Sequence, residues 1–134
     1  MHIMDVVENS ITGGASIVVV RIEEDAAGKE LVITIQDNGE GMGQRQVESA
    51  LDPFYTTKED KRIGLGLPLL RQSAIESGGS MDVLSKPGVG TVVQAVFGLD
   101  HPDRKPLGDI AGTIRLLQAF HPGVEFSLEW VQDR

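Results

Sequence analysis

Asp5 and Asn9 stand at i and i+4 in the run Asp5-Val-Val-Glu-Asn-Ser-Ile11, so on a helix they lie one above the other. An amide oxygen suits magnesium, a hard ion that keeps waters and phosphate oxygens in its shell. Asn9 is therefore a candidate metal ligand that adds no charge. Asp5, one turn earlier, is a candidate for polarising a nucleophile near a γ-phosphate. Taken alone, the segment reads first as an ordinary amphipathic helix with a solvated polar face.

A second group is Asp37-Asn-Gly-Glu-Gly-Met42, an aspartate directly after a β-branched run and then glycines two residues apart. Its carboxylate can accept from an adenine amine, and Gly39 and Gly41 let the backbone approach a base with no Cβ in the way. The same residues also read as a turn with helix-capping groups. The third group runs from Asp52-Pro-Phe-Tyr-Thr-Thr-Lys58 to Gly64-Leu-Gly66-Leu67, entering a helix. Backbone amides at that helix start suit phosphates, with Lys58 or Arg62 as lid cations. A helix preceded by glycines is common, and Phe54 and Tyr55 are more often packing residues than ligands. No Gly-x4-Gly-Lys-Ser/Thr run occurs, and Leu69 stands where a dinucleotide fingerprint has its third glycine. Last comes Gly88-Val-Gly90-Thr91, a tight turn whose threonine can reach an adenine edge directly or through water.

The elements that must position these groups follow from periodicity. Ile3, Val6, Val7, Ser10 and Ile11 recur at helical spacing and form a packing face, and Gly13-Gly14 stops the helix. Residues 17–23 and 31–37 predict an antiparallel hairpin, with Leu31, Ile33, Ile35 and Asp37 on one face. A short helix over 44–51 precedes a polar loop over 52–63 that is a candidate lid. A second helix follows Gly66 and stops at Gly78-Gly79. Residues 81–85 and 90–97 form another hairpin, with Thr91, Val93, Ala95 and Phe97 on one face. After a hinge at 100–106 come a helix over 109–120 and a strand over 124–131. The order αββααββ, then αβ, predicts an α+β two-layer sandwich with helices on one face of a mixed, mostly antiparallel sheet.

In order, Asp5-x3-Asn9, Asp37-x-Gly39-x-Gly41, Asp52-Pro-Phe54, Gly64-x-Gly66 and Gly88-x-Gly90-Thr91 resemble the conserved boxes of GHKL ATPases. These are the sensor histidine kinase, gyrase, heat-shock chaperone and mismatch-repair ATP-binding domains. The resemblance covers about residues 2–98, which implies a Bergerat-type ATP-binding core over 1–98 and a helix-strand extension of the same domain over 99–134. The 52–67 passage looks most like sensor histidine kinase catalytic domains, and Val7-Glu-Asn-Ser-Ile11 looks closer to mismatch-repair ATPases. The tail resembles that of small stand-alone bacterial ATP-binding proteins.

Carried over position by position, the resemblance makes Asn9 the Mg2+ ligand and Asp37 the adenine reader. Gly41 becomes a base-adjacent contact, and Gly64 and Gly66 phosphate-loop positions. Gly39, Met42, Phe54, Lys58, Leu65, Leu67 and Thr91 complete the candidate ATP contacts. Asp5 takes the place of the family's usual glutamate as the catalytic group. Losing a methylene shortens its reach by roughly 1.5 Å. A misplacement near 1 Å costs on the order of a hundredfold in rate, so slow hydrolysis is the expectation. The box that holds Asn9 opens the sequence, with no phosphoacceptor helix pair ahead of it, so the chain is not expected to be a self-sufficient autophosphorylating kinase.

Composition narrows the classes. The 134 residues, 40% hydrophobic and 24% charged, suit one domain. A formal charge of -8 opposes binding to nucleic acid or anionic lipid, and no run approaches a membrane span, so neither partner is expected. Without cysteine, disulfides and thiolate chemistry are excluded and a cytoplasmic location is the default. The leading expectation is a stand-alone ATP·Mg-binding module that hydrolyses ATP slowly or serves as the kinase module for a separate protein partner. The alternative is a nucleotide-sensing interaction module with little catalysis. In either case the tail can cover a sheet edge or make a homodimer contact.

Overall fold

The computed structural model describes residues 2–25, 29–52, 66–98 and 110–131, with residues 2–5 described in their backbone alone. Helix α1 spans His2–Thr12, and strands β1 (Ile17–Glu24) and β2 (Glu30–Asp37) follow it. Next come α2 (Gln44–Leu51), α3 (Gly66–Glu76), β3 (Ser80–Lys86) and β4 (Gly90–Gly98), and the described chain ends with α4 (Ile110–Phe120) and β5 (Glu125–Val131). Types and order are those the periodicity predicts.

Helices α1 and α3 end the same way for the same local reason. In α1 the Ala15 N–H donates to Ser10 O (3.1 Å) and the Gly14 N–H to Ile11 O (3.0 Å), with Gly14 at φ 85°. In α3 the Gly79 N–H donates to Ala74 O (2.8 Å) and the Gly78 N–H to Ile75 O (2.9 Å), with Gly78 at φ 88°. These paired bonds satisfy the last helical carbonyls, and the left-handed residue turns the chain at once towards the sheet.

The sheet order is β3-β4-β2-β1-β5. The β1–β2, β2–β4 and β3–β4 pairs are antiparallel, and β1–β5 is parallel. Alternation along the strands sends Val18, Val20, Ile22, Leu31, Ile33, Ile35, Val93, Ala95 and Phe97 to one face. There they form one cluster with Val6 and Val7 of α1, Ala50 of α2, Leu67, Leu70 and Ala74 of α3, and Ile110, Ile114 and Leu117 of α4. All four helices thus cover the same face, giving the α+β sandwich. The largest fully buried side chains include Ile22, Leu31, Ile33, Ile35, Ile110 and Leu117, each worth about 1.5–3 kcal/mol of transfer from water. No described helix is long and apolar enough to cross a membrane.

The tail does more than shield an edge: β5 is a fifth strand, in register with β1 from Ile17↔Glu125 to Glu23↔Val131. Sequence alone offered no signal for this pairing, because the two strands lie more than a hundred residues apart and alternation does not name a neighbour.

Candidate functional site

At one end of the sheet the apolar alternation of three strands stops on a hydroxyl or carboxyl group. Ser85 follows Met81 and Val83 on β3, Thr91 precedes Val93 and Ala95 on β4, and Asp37 follows Ile33 and Ile35 on β2. Their registers match, since Ser85 pairs with Thr91 and Thr91 with Asp37. The result is a polar row across three strands on the helix-covered face, and α1 lays Ser10 over it.

Asp37 is the centre of this row. Ser10 Oγ donates to Asp37 Oδ2 at 2.6 Å, and the Gly39 N–H donates to Oδ1 at 2.9 Å. Ser10 Oγ is only 3.4 Å from Val6 O, so the hydroxyl hydrogen is committed to the carboxylate. Both carboxylate oxygens are thus pinned while each keeps a lone pair for a further donor. Buried Ser10, counted with the packing face on helical spacing alone, is in fact a polar partner of the site, 8% exposed.

Ser85 performs a second act of fixation. It accepts from the Met42 N–H at 2.7 Å, donates to Gly90 O at 3.1 Å and lies 2.8 Å from Thr91 Oγ1. Either hydroxyl can donate in the Ser85–Thr91 contact, so Ser85 fixes the position of Thr91 Oγ1 beside the pocket. Ser85 was not among the sequence candidates. The signal that finds it is the one that finds Asp37: a polar residue ending an apolar alternation.

The loop after Asp37 is fixed on both sides. The Glu40 N–H donates to Gly13 O at the end of α1 (2.9 Å), and Glu40 O accepts from the Gly88 N–H of the β3–β4 turn (2.6 Å). Asn38 Oδ1 accepts from the Ser16 and Ile17 N–H groups at 2.9 Å each, tying the α1–β1 connection to the same loop. Gly41, at φ 70°, lies so close to the β3–β4 hairpin that a Cβ would stand 1.9 Å from Lys86 O. Close approach to the protein's own backbone therefore dictates this glycine, in addition to any approach of a base.

Asn9, Asp37, Gly39, Gly41, Met42, Leu67 and Thr91 all line one pocket between α1, α3 and the sheet end. Val6, Ser10, Gly13, Glu40, Gln46 and Val93 line it too, and sequence reasoning did not single them out as contacts. Gly66 is the first residue of α3. The Asp5 side chain, and Phe54, Lys58, Arg62, Gly64 and Leu65, lie outside the described residues. The pocket is thus apolar on its walls, through Val6, Met42, Leu67 and Val93, and rich in acceptors on its floor.

The family profile described as "Histidine kinase-, DNA gyrase B-, and HSP90-like ATPase" matches residues 2–101. The chain belongs to this family. Its relatives among curated proteins include Sporulation kinase C of Bacillus subtilis, 34% identical over 96 residues, which are 72% of this chain and 22% of that protein. Nitrogen regulation protein NtrY of Azorhizobium caulinodans is 33% identical over 88 residues, 65% of this chain and 11% of the relative. Sensor histidine kinase ZraS of Klebsiella oxytoca is 30% identical over 80 residues, 60% of this chain and 17% of the relative. The chain therefore spans less than a quarter of the length of these family members. The family match covers α1 to β4 and stops before α4, so the matched stretch contains every described residue that lines the pocket.

Proposed function

We propose that this chain binds ATP with Mg2+ in the pocket between α1, α3 and the sheet end, as the phosphoryl-donor module for a separate protein or as a slow ATPase. The observation that carries the reading is the pinned carboxylate of Asp37 in a pocket also lined by apolar Val6, Met42, Leu67 and Val93, which suit the faces of a purine. The Asp37 carboxylate offers an acceptor, which suits a hydrogen of adenine's exocyclic amine, and Thr91 stands beside it as a second polar contact. Guanine presents a carbonyl oxygen at that position and would meet acceptor against acceptor, leaving buried lone pairs unmatched.

Asn9 lines the same pocket from α1. Among the described residues no group of three or more His, Asp or Glu could hold a metal on its own. Asn9 offers Mg2+ one neutral oxygen ligand, with phosphate oxygens and water supplying the rest. When bound, the ion neutralises charge on the transferring phosphoryl group. The protein's own contribution is positional: Asp37 sets the base, Asn9 the metal end, and the start of α3 at Gly66-Leu67 faces the phosphates with its positive dipole end. Residues 1–98 then form the nucleotide-binding core, and 99–134 an extension packed on the same domain, which the shared cluster of α4 with the sheet supports. A cytoplasmic location and the protein partner belong to this proposal as well.

Calorimetric titration with ATP, ADP and GTP, with and without Mg2+, tests it. Binding of ATP and ADP with little or none of GTP is expected, with the ATP affinity rising when Mg2+ is present. Absence of adenine-nucleotide binding overturns the reading.

A further inference from the structure

The outer edge of β5 presents main-chain groups that pair with nothing among the described residues, because β5 ends the sheet order. Edge strands left open in this way are templates for another chain, and natural proteins usually blunt them with lysine, proline or bulges. β5 reads Glu-Phe-Ser-Leu-Glu-Trp-Val131 and contains neither lysine nor proline.

Which residues point outward is fixed by one bond: the Glu125 N–H donates to Ser16 O, towards β1, at 2.8 Å. Alternation then turns 125, 127, 129 and 131 towards β1 and leaves the main-chain groups of Phe126, Leu128 and Trp130 on the open edge. Their side chains lie on the helix-covered face: Phe126 and Leu128 pack against the core, and Trp130 is in register with buried Ile22. Trp130 is nevertheless 41% exposed, and α4, which packs on this strand, exposes Leu116 (49%) and Phe120 (71%). The opposite face of β5 carries Glu125, Ser127 and Glu129, with Glu129 Oε2 2.9 Å from Arg21 Nη1.

The geometry points to a second copy of this chain as the occupant of that edge. The two β5 strands would pair antiparallel about a twofold axis at Leu128 and continue the sheet from one protomer into the next. A self-complementary contact must place the axis on one residue; only Leu128, the middle residue of β5, lets all three outward residues pair within the strand, and the charges disfavour its two neighbours. With the axis at Ser127, Glu125 faces the second copy's Glu129; with it at Glu129, two copies of that glutamate meet. At Leu128 neither clash occurs. Phe126 then faces the second copy's Trp130, Leu128 faces its own mate, and Glu129 faces Ser127. All three outward residues exchange both main-chain bonds, and aromatic pairs flank an aliphatic centre on one face. The contact lies apart from the nucleotide pocket and does not depend on the reading of that pocket.

Sedimentation equilibrium of the whole chain over a dilution series up to millimolar, on the parent and two variants at exposed Ser127, tests the register. Ser127→Glu sets a glutamate opposite Glu129 twice by symmetry and is expected to weaken dimerisation by roughly 2- to 30-fold. Ser127→Lys sets an opposite charge there twice and is expected to strengthen it by a similar factor. At dilutions where the chain is monomeric, far-UV circular dichroism and thermal melting of both variants should match the parent, since exposed Ser127 lies outside the core. A single-chain mass at every concentration overturns the proposal, as does a dimer indifferent to both variants. Weakening by both substitutions puts Ser127 opposite itself and overturns the register.

Discussion

Asp37 is held by a short bond from Ser10 and a main-chain bond from Gly39, and on the proposed reading these two bonds position the carboxylate while its remaining lone pairs read the base. Asp37→Ala removes a charged acceptor and should weaken ATP by roughly 10- to 150-fold in a calorimetric titration, from the about 1.5–3 kcal/mol such a bond contributes. An unchanged affinity would remove Asp37 from the site. Ser10→Ala leaves the carboxylate in place but frees one oxygen; about tenfold weaker ATP binding, with GTP no better than before, is the expected result. Should Ser10→Ala bind ATP as the parent does, the serine only packs. Asn9→Ala is expected to behave differently again, leaving Mg2+-free ATP binding intact while abolishing the gain that Mg2+ brings, which the same titration reads. At Gly41 the constraint is steric before it is chemical. Gly41→Ala combines a φ of 70° with a Cβ 1.9 Å from Lys86 O, so the loop must move and the pocket with it. A lowered melting temperature together with lost ATP binding checks this.

At the scale of elements, α4 and β5 raise the question of how far the tail belongs to the core. Leu117 is 1% exposed and shares a cluster with the strands of the central sheet. Leu117→Ala should therefore cost about 2–5 kcal/mol and lower the melting temperature of the whole protein in a single transition. Two separated transitions, with the nucleotide-binding one unmoved, would make the tail an independent unit. Element types and limits were legible because they depend on local periods. The alternation Leu31, Ile33, Ile35, Asp37 announces both a strand face and its polar end, and Gly13-Gly14 and Gly78-Gly79 announce where helices stop. Pairing across distance was not legible. Ser10 matches the helical packing period whether it touches Asp37 or a leucine, and only the placement of α1 over the sheet end decides between them. Ser85 is likewise a strand serine until the β3–β4 register sets it beside Thr91. The parallel β1–β5 pair depends on α4 carrying the chain back across the sheet, which no period in either strand encodes.

For the molecule as a whole, the open question is where the γ-phosphate goes. On the proposed reading Mg2+ neutralises charge on the transferring phosphoryl group, so turnover should depend steeply on the metal. By resemblance Asp5 stands where a longer carboxylate would polarise the attacking group. On the proposed reading, the chain alone should release phosphate from γ-labelled ATP slowly. If the shorter side chain is what limits that rate, Asp5→Glu restores the missing methylene and should accelerate release by up to about a hundredfold, with ATP affinity unchanged. Asp5→Asn should remove the activity and leave binding intact. A parent chain whose release is unaffected by either substitution would assign the slow rate to something other than reach, and label found on a co-purified protein would make the acceptor a protein hydroxyl or imidazole instead of water. The two outcomes differ in what Asp5→Glu does: it speeds water attack, whereas transfer to a docked partner is governed by how that partner places its own nucleophile, so the labelled-protein signal should move little.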